Sequence, residues 1–109
     1  MTLNELIEKS DLKVLTTTET DGKEVSDCYV CDLLSLAMSR VPEGSAWITV
    51  QANVNIVAVA HLTEASCIII AENMNVESDV IDKANSNGIV ILRTEKSAFH
   101  MAMEIGALL

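Results

Sequence analysis

Three mainly apolar runs mark the second half of the chain, and each precedes a stretch with helical character. The runs cover 46–50, 67–71 and 89–92, and the predicted helices cover 54–63, 78–87 and 97–108. Continuous rather than alternating apolar runs are typical of strands buried on both faces. Three strand–helix units in succession imply parallel pairing through right-handed crossovers. The pattern predicts an α/β fold, a three-layer α/β/α sandwich with a short, mostly parallel sheet.

The first part of the chain carries weaker signals. Thr2 followed by Glu5 forms a capping-box pattern at the start of a first helix. Asp32 is in a position to cap a helix over 33–40. Short strands are expected at 13–16 and 28–31. With 109 residues and no low-complexity linker, 1–109 is predicted to be a single domain.

A parallel sheet predicts where a ligand would bind, because ligands of such sheets lie outside the carboxyl ends of the strands. The polar residues expected there are Gln51, Asn53 and Thr94, with Asn55 and Ser97 in support. The alternative is that Asn53, Thr94 and Ser97 only cap helices, which is a common role for these residue types.

Catalytic and metal-binding patterns are weak. Cys28 and Cys31 have the C-x-x-C spacing, but zinc and iron–sulfur sites need four ligands and only Cys67 remains. The four glycines form no phosphate loop and no dinucleotide fingerprint. We therefore expect no catalytic residue, no metal and no cofactor. An enzyme would require Cys28 or Cys31 to be reactive.

The composition favours self-association. Half of the residues are hydrophobic but only 3% are aromatic, so the core must be aliphatic. Such a small domain has more apolar surface than it can bury alone, which predicts a homodimer. In the last helix, Phe99 and Met103 are assigned to the core. For Met101, both a place in the core and a place on a partner surface remain open.

The net charge of −9 limits the range of partners. An acidic chain repels phosphate backbones, so a nucleic-acid partner is not expected. No cluster of Lys and Arg could anchor the chain to an anionic membrane. The N-terminus lacks the basic and apolar regions of a signal peptide, which predicts a cytoplasmic protein.

Several blocks of the sequence resemble the DRTGG domain family. The resemblance extends over nearly the whole chain, and the Trp-Ile-Thr-Val-Gln and Asn-Ile-Val-Ala-Val-Ala segments are its most specific parts. The blocks that carry it lie at 31–35, 44–51, 55–60, 67–72, 87–89 and 97–99.

The resemblance implies a fold like that of the N-terminal domain of HPr kinase/phosphorylase, without its kinase chemistry. DRTGG domains also accompany CBS pairs in regulated pyrophosphatases, where they contribute to dimerisation and adenine-nucleotide control, and they accompany phosphotransacetylase. One departure concerns the name motif: Asp27 and Cys28 stand where two glycines are expected. That change puts any contact that relies on a glycine turn there in question.

Two functions remain open. The resemblance favours a non-catalytic regulatory or ligand-sensing module that responds to adenine nucleotides or a related phosphorylated metabolite. The alternative is a structural interaction subunit that docks to a partner protein in a metabolic or redox complex without a small ligand. Stand-alone members encoded beside iron hydrogenase components suggest a hydrogenase-type complex for that alternative.

Overall fold

The computed structural model describes all 109 residues, Met1 to Leu109. Its five strands form one sheet in the order β1-β5-β4-β3-β2, in which every pair is parallel except the antiparallel pair β1–β5. None of the helices combines the length and the apolarity needed to cross a bilayer. The elements in chain order are α1 (Leu3–Lys9), β1 (Lys13–Val14), β2 (Asp27–Val30), α2 (Leu34–Arg40), β3 (Ser45–Thr49), α3 (Asn55–Thr63), β4 (Cys67–Ile70), α4 (Ser78–Ser86), β5 (Ile91–Arg93) and α5 (Ala98–Leu108).

A hydrophobic core lies on each face of the sheet, which makes the molecule a three-layer sandwich as predicted. One core holds Trp47 and Ile68 of the strands together with buried residues of α2, α3 and α4. The other holds Ile48 and Ile69 with buried residues of α1 and α5. Neighbouring strand residues therefore point to opposite cores. This is why the strand segments read as continuous apolar runs.

The predicted capping box at α1 is present. The Thr2 hydroxyl accepts a hydrogen bond from the Glu5 amide at 3.1 Å, and the Glu5 carboxylate accepts one from the Thr2 amide at 3.4 Å. These bonds satisfy two amide groups that the first turn of a helix leaves free. The hydrogen bonds from Thr2 also lower the pKa of the Glu5 carboxyl group.

The predicted role of Asp32 as a helix cap is wrong. Helix α2 begins after Leu33, and no side chain caps it. One carboxylate oxygen of Asp32 instead accepts bonds from the Thr49 hydroxyl and the Val50 amide, both at 2.8 Å. The carboxylate thus joins the β2–α2 connection to the carboxyl end of β3. The sequence around Asp32 does not indicate this contact.

The assignment of Phe99 and Met103 to the core is also wrong. Their side chains are 66% and 55% exposed, whereas Met101 and Ile105 are fully buried. Residues four apart share one face of a helix, and residues two apart do not. Because Met101 and Ile105 face the sheet, α5 turns Phe99 and Met103 towards solvent.

Candidate ligand-binding cleft

A cleft of about 520 Å³ opens where β5 ends. Strand β1 runs antiparallel to β5, so its first residue, Lys13, is paired with the last residue of β5, Arg93. The start of β1 therefore meets the carboxyl end of the parallel strands, the edge at which ligands of such sheets bind. The residues that line the cleft are Asp11, Leu12, Lys13, Asn73, Arg93, Thr94, Glu95 and Lys96.

The loop that follows β4 forms one wall of the cleft. The Thr94 amide donates to the Ile70 carbonyl at 2.9 Å, and the Asn73 amide donates to the Thr94 carbonyl at 2.8 Å. These bonds hold the loop against the end of β5. Asn73 has φ +51°, and Asp11, which also lines the cleft, has φ +50°. Asn and Asp are among the non-glycine residues that adopt such angles most readily.

The three cations of the cleft differ in their partners. The Lys96 ammonium lies 2.7 Å from a carboxylate oxygen of Glu104 in α5, and it also donates to the Ser10 carbonyl at 3.2 Å. Lys96 therefore links α1, the β5–α5 connection and α5. Lys13 and Arg93 take part in no ion pair of the chain. Their charges are available to a ligand.

Of the five predicted ligand-binding residues, only Thr94 lines this cleft. It is buried, and its hydroxyl accepts a bond from the Lys96 amide at 3.2 Å. Ser97 lies just beyond, as the N-cap of α5, where its hydroxyl accepts from the His100 amide at 3.2 Å. The helix-capping interpretation is therefore confirmed for Ser97.

The other three predicted residues form a separate polar group after β3. The Gln51 side chain donates to the Asp32 carbonyl at 3.1 Å, and the Asn53 side chain donates to Gln51 at 3.3 Å. The Asn55 amide then donates to the Asn53 side chain at 2.9 Å. These bonds give the side chains of Gln51 and Asn53 local partners, and Asn55 contributes its backbone amide. A role for Gln51, Asn53 and Asn55 in binding stays a prediction.

The DRTGG domain family model matches residues 5–108. The chain belongs to the DRTGG domain family. A comparison with curated proteins gave no match.

A solved structure shares the fold of this DRTGG domain. It contains the CBS and DRTGG domains of the regulatory region of Clostridium perfringens pyrophosphatase, in complex with the activator diadenosine tetraphosphate. The TM-score is 0.77 at 16% sequence identity, and the similarity covers 94% of the present chain. The present chain spans 44% of that chain. The similarity confirms the predicted fold.

The departure from the family motif causes no backbone strain in this DRTGG domain. Asp27 and Cys28 are the first two residues of β2, where they pair with Ser45 and Ala46 of β3. Neither has a positive φ. An extended strand accepts any residue, so this position does not require the conformational freedom of glycine.

The two cysteines of the C-x-x-C motif lie on opposite faces of the sheet. Cys28 packs against the core that contains α1 and α5, and Cys31 against the core that contains α2, α3 and α4. They are therefore placed neither to form a disulfide nor to bind one ion together. Burial raises the pKa of the Cys28 thiol to about 11, and the neighbouring Asp27 carboxylate adds to the shift. Such a thiol is a poor nucleophile at neutral pH.

Of the residues that line the cleft, the sequence pattern predicted Thr94 but did not point to Lys13 or Lys96. Lys13 begins a two-residue strand, and its pairing with Arg93 joins residues 80 positions apart (93 − 13 = 80). No local pattern identifies such a contact. The one available signal was the scarcity of basic residues: the chain has seven Lys and Arg in all, and three of them line this cleft.

Proposed function

We propose that this DRTGG domain is a non-catalytic regulatory module that binds a phosphorylated small molecule in the cleft at the carboxyl end of β5. The observation that carries the proposal is the clustering of basic residues there, two of which, Lys13 and Arg93, form no ion pair. The chain has 16 acidic and seven basic residues, yet the cleft is lined by Lys13, Arg93 and Lys96 against Asp11 and Glu95.

The size and polarity of the cleft support a small ligand. A volume of about 520 Å³ falls within the range of pockets that bind small molecules, roughly 300–1,000 Å³. One lining residue of eight is hydrophobic, so polar and charged groups dominate the walls. A compact anion fits this chemistry better than an apolar compound.

An adenine nucleotide is the first ligand to test. The pyrophosphatase regulatory region that shares the fold is in complex with diadenosine tetraphosphate, which is both an adenine compound and a polyphosphate. Its phosphates carry the charge that Lys13 and Arg93 complement. The alternative of a docking subunit without a ligand gains no support from the comparisons.

The regulatory module is proposed to act as a homodimer. Strand β2 forms an edge of the sheet, so no other strand pairs with its outer side. Val30 at its end is 47% exposed, and Leu33 just beyond is 63% exposed. An open strand edge beside apolar side chains favours pairing with another chain. A second copy of the chain joined along β2 would cover both the open strand edge and the exposed apolar side chains.

A thermal-shift screen tests the proposed function. The compounds are adenine nucleotides, dinucleotides and phosphorylated metabolites, each with and without magnesium. A ligand at about 100 times its Kd adds roughly 2.7 kcal/mol to the free energy of unfolding, which raises the Tm by several degrees. A saturable rise is expected for at least one phosphorylated compound. If none of them shifts the Tm of the folded protein, the regulatory-sensing proposal fails.

A further inference from the structure

Lys13 and Arg93 occupy directly opposed positions of an antiparallel strand pair. Opposed residues of such a pair have their side chains on the same face of the sheet, with Cβ atoms about 4.5–5.5 Å apart. Two positive charges are thus held side by side at one wall of the cleft. Lys13 is exposed and Arg93 is half-buried, so both remain in reach of a ligand.

No carboxylate of the chain neutralises this pair. Asp11 and Glu95 line the same cleft, but neither forms an ion pair with Lys13 or Arg93. Like charges directly opposed across two strands destabilise a sheet. Although the chain has more than twice as many acidic as basic residues, none of the acidic groups forms an ion pair with Lys13 or Arg93, and their repulsion is unfavourable in the free protein. An anion between the two side chains would reverse the sign of the interaction.

The third cation of the cleft has a different position. Lys96 already contacts Glu104 and the Ser10 carbonyl, so its charge is compensated within the protein. Lys13 and Arg93 are therefore the groups that gain most from an incoming anion. An Arg guanidinium can bind two phosphate oxygens at once, while a Lys ammonium contributes a compact charge.

We propose that Lys13 and Arg93 form a cross-strand clamp that binds a phosphate or polyphosphate group and recognises no base. This inference rests on the proposed function and narrows its ligand to the phosphate chain. The walls provide no apolar slot for a purine, because Leu12 is the one hydrophobic lining residue and is itself buried. ATP, GTP and inorganic tripolyphosphate therefore bind alike, and adenosine does not bind.

The test measures Kd by calorimetry for ATP, GTP, tripolyphosphate and adenosine at one ionic strength. The variants are Lys13→Gln and Arg93→Gln, each of which removes one positive charge from the clamp. Arg40→Gln removes the same charge from the exposed end of α2, outside the cleft, and is the matched control. Circular dichroism confirms that each variant is folded.

The three phosphate compounds are expected to bind within a few-fold of one another. Each clamp variant should weaken all three by about tenfold or more, as expected when a charged hydrogen bond to the ligand is removed. Arg40→Gln should change Kd less than twofold. Without ligand, Lys13→Gln should keep or raise the Tm, because it relieves repulsion from Arg93. A residue with a structural role alone would lower the Tm and leave Kd unchanged.

Three outcomes would overturn the clamp. Adenosine binding as tightly as ATP would show recognition of the base. Nucleotide binding that survives both clamp variants would place the ligand outside the cleft; the regulatory role would stand, and the proposed binding site would fail. An equal loss of affinity in Arg40→Gln would show that the effect comes from the overall charge of the protein and not from the clamp. If none of the four compounds, and none of the wider screen, binds the folded protein, the proposed function fails with the clamp.

Discussion

Asp32 provides the sharpest test of the structure at the carboxyl end of β3. One of its carboxylate oxygens accepts two bonds of 2.8 Å, from the Thr49 hydroxyl and the Val50 amide. Hydrogen bonds to charged groups contribute about 1.5–3 kcal/mol each. Because Asp32 itself is exposed, solvent screening weakens both bonds, and their combined contribution falls in the lower part of the range for one such bond. We expect Asp32→Ala to lower the free energy of unfolding by about 2 kcal/mol, and Asp32→Asn, which keeps an acceptor oxygen, by about 1 kcal/mol or less.

Urea unfolding followed by fluorescence measures these losses. The chain has a single tryptophan, Trp47, which is fully buried, so its emission reports on the core. Glu43→Ala removes another exposed carboxylate from the surface and is the control. A loss below about 0.5 kcal/mol for Asp32→Ala, the size of an ordinary surface substitution, would show that water replaces both bonds. Equal losses for the Ala and Asn variants would show that the negative charge, and not the presence of an acceptor oxygen, carries the interaction.

Three further predictions concern a thiol, two glycines and the sheet edge. Cys28 should react with iodoacetamide at pH 7.5 about a hundredfold more slowly than free cysteine, by mass spectrometry, because burial raises its pKa from 9.0 to about 11. The raised pKa stabilises the fold below pH 9 and this contribution is lost as the pH rises towards 11, so Cys28→Ala should flatten the decline of Tm over that range. Gly44→Ala and Gly22→Ala should each lower the free energy of unfolding by about 1 kcal/mol, because both glycines have positive φ. Gly44→Ala should cost more, because its methyl group would lie 3.1 Å from a side-chain oxygen, whereas the methyl group at Gly22 meets open space. Equal urea midpoints for the two variants would contradict this difference. Val30→Lys should convert the proposed dimer to monomer in light scattering, and an unchanged mass would exclude β2 as the interface.

The sandwich and its parallel core could be predicted because the signal is contained in short segments. Strands β3, β4 and β5 are buried on both faces. A run of apolar residues such as Cys67–Ile70 therefore indicates a buried strand without any other information. The helices between them follow from their spacing along the chain. The predicted parallel pairing of these strands then depends on general rules of handedness rather than on any particular residue.

The parts that could not be predicted depend on contacts between distant segments. Asp32 has the local sequence of a helix cap, but its carboxylate binds β3, 17 and 18 residues further on. Phe99 and Met103 lie on a helix that is apolar on several sides, so the sequence alone does not decide which side faces the sheet. The cleft required knowledge of where β1 pairs, and a two-residue strand carries too little pattern for that.

The position of β1 also sets the order in which the molecule is completed. Lys13 is synthesised 80 residues before Arg93, the last residue of the strand with which it pairs (93 − 13 = 80). At ribosomal rates of about 5–20 residues per second, β1 waits roughly 4–16 s for its partner. Strand–helix units between them can assemble from nearer contacts in the meantime. The cleft therefore forms only after β5 has been synthesised, and a ligand that binds it distinguishes a chain with the complete sheet from a nascent chain that still lacks β5.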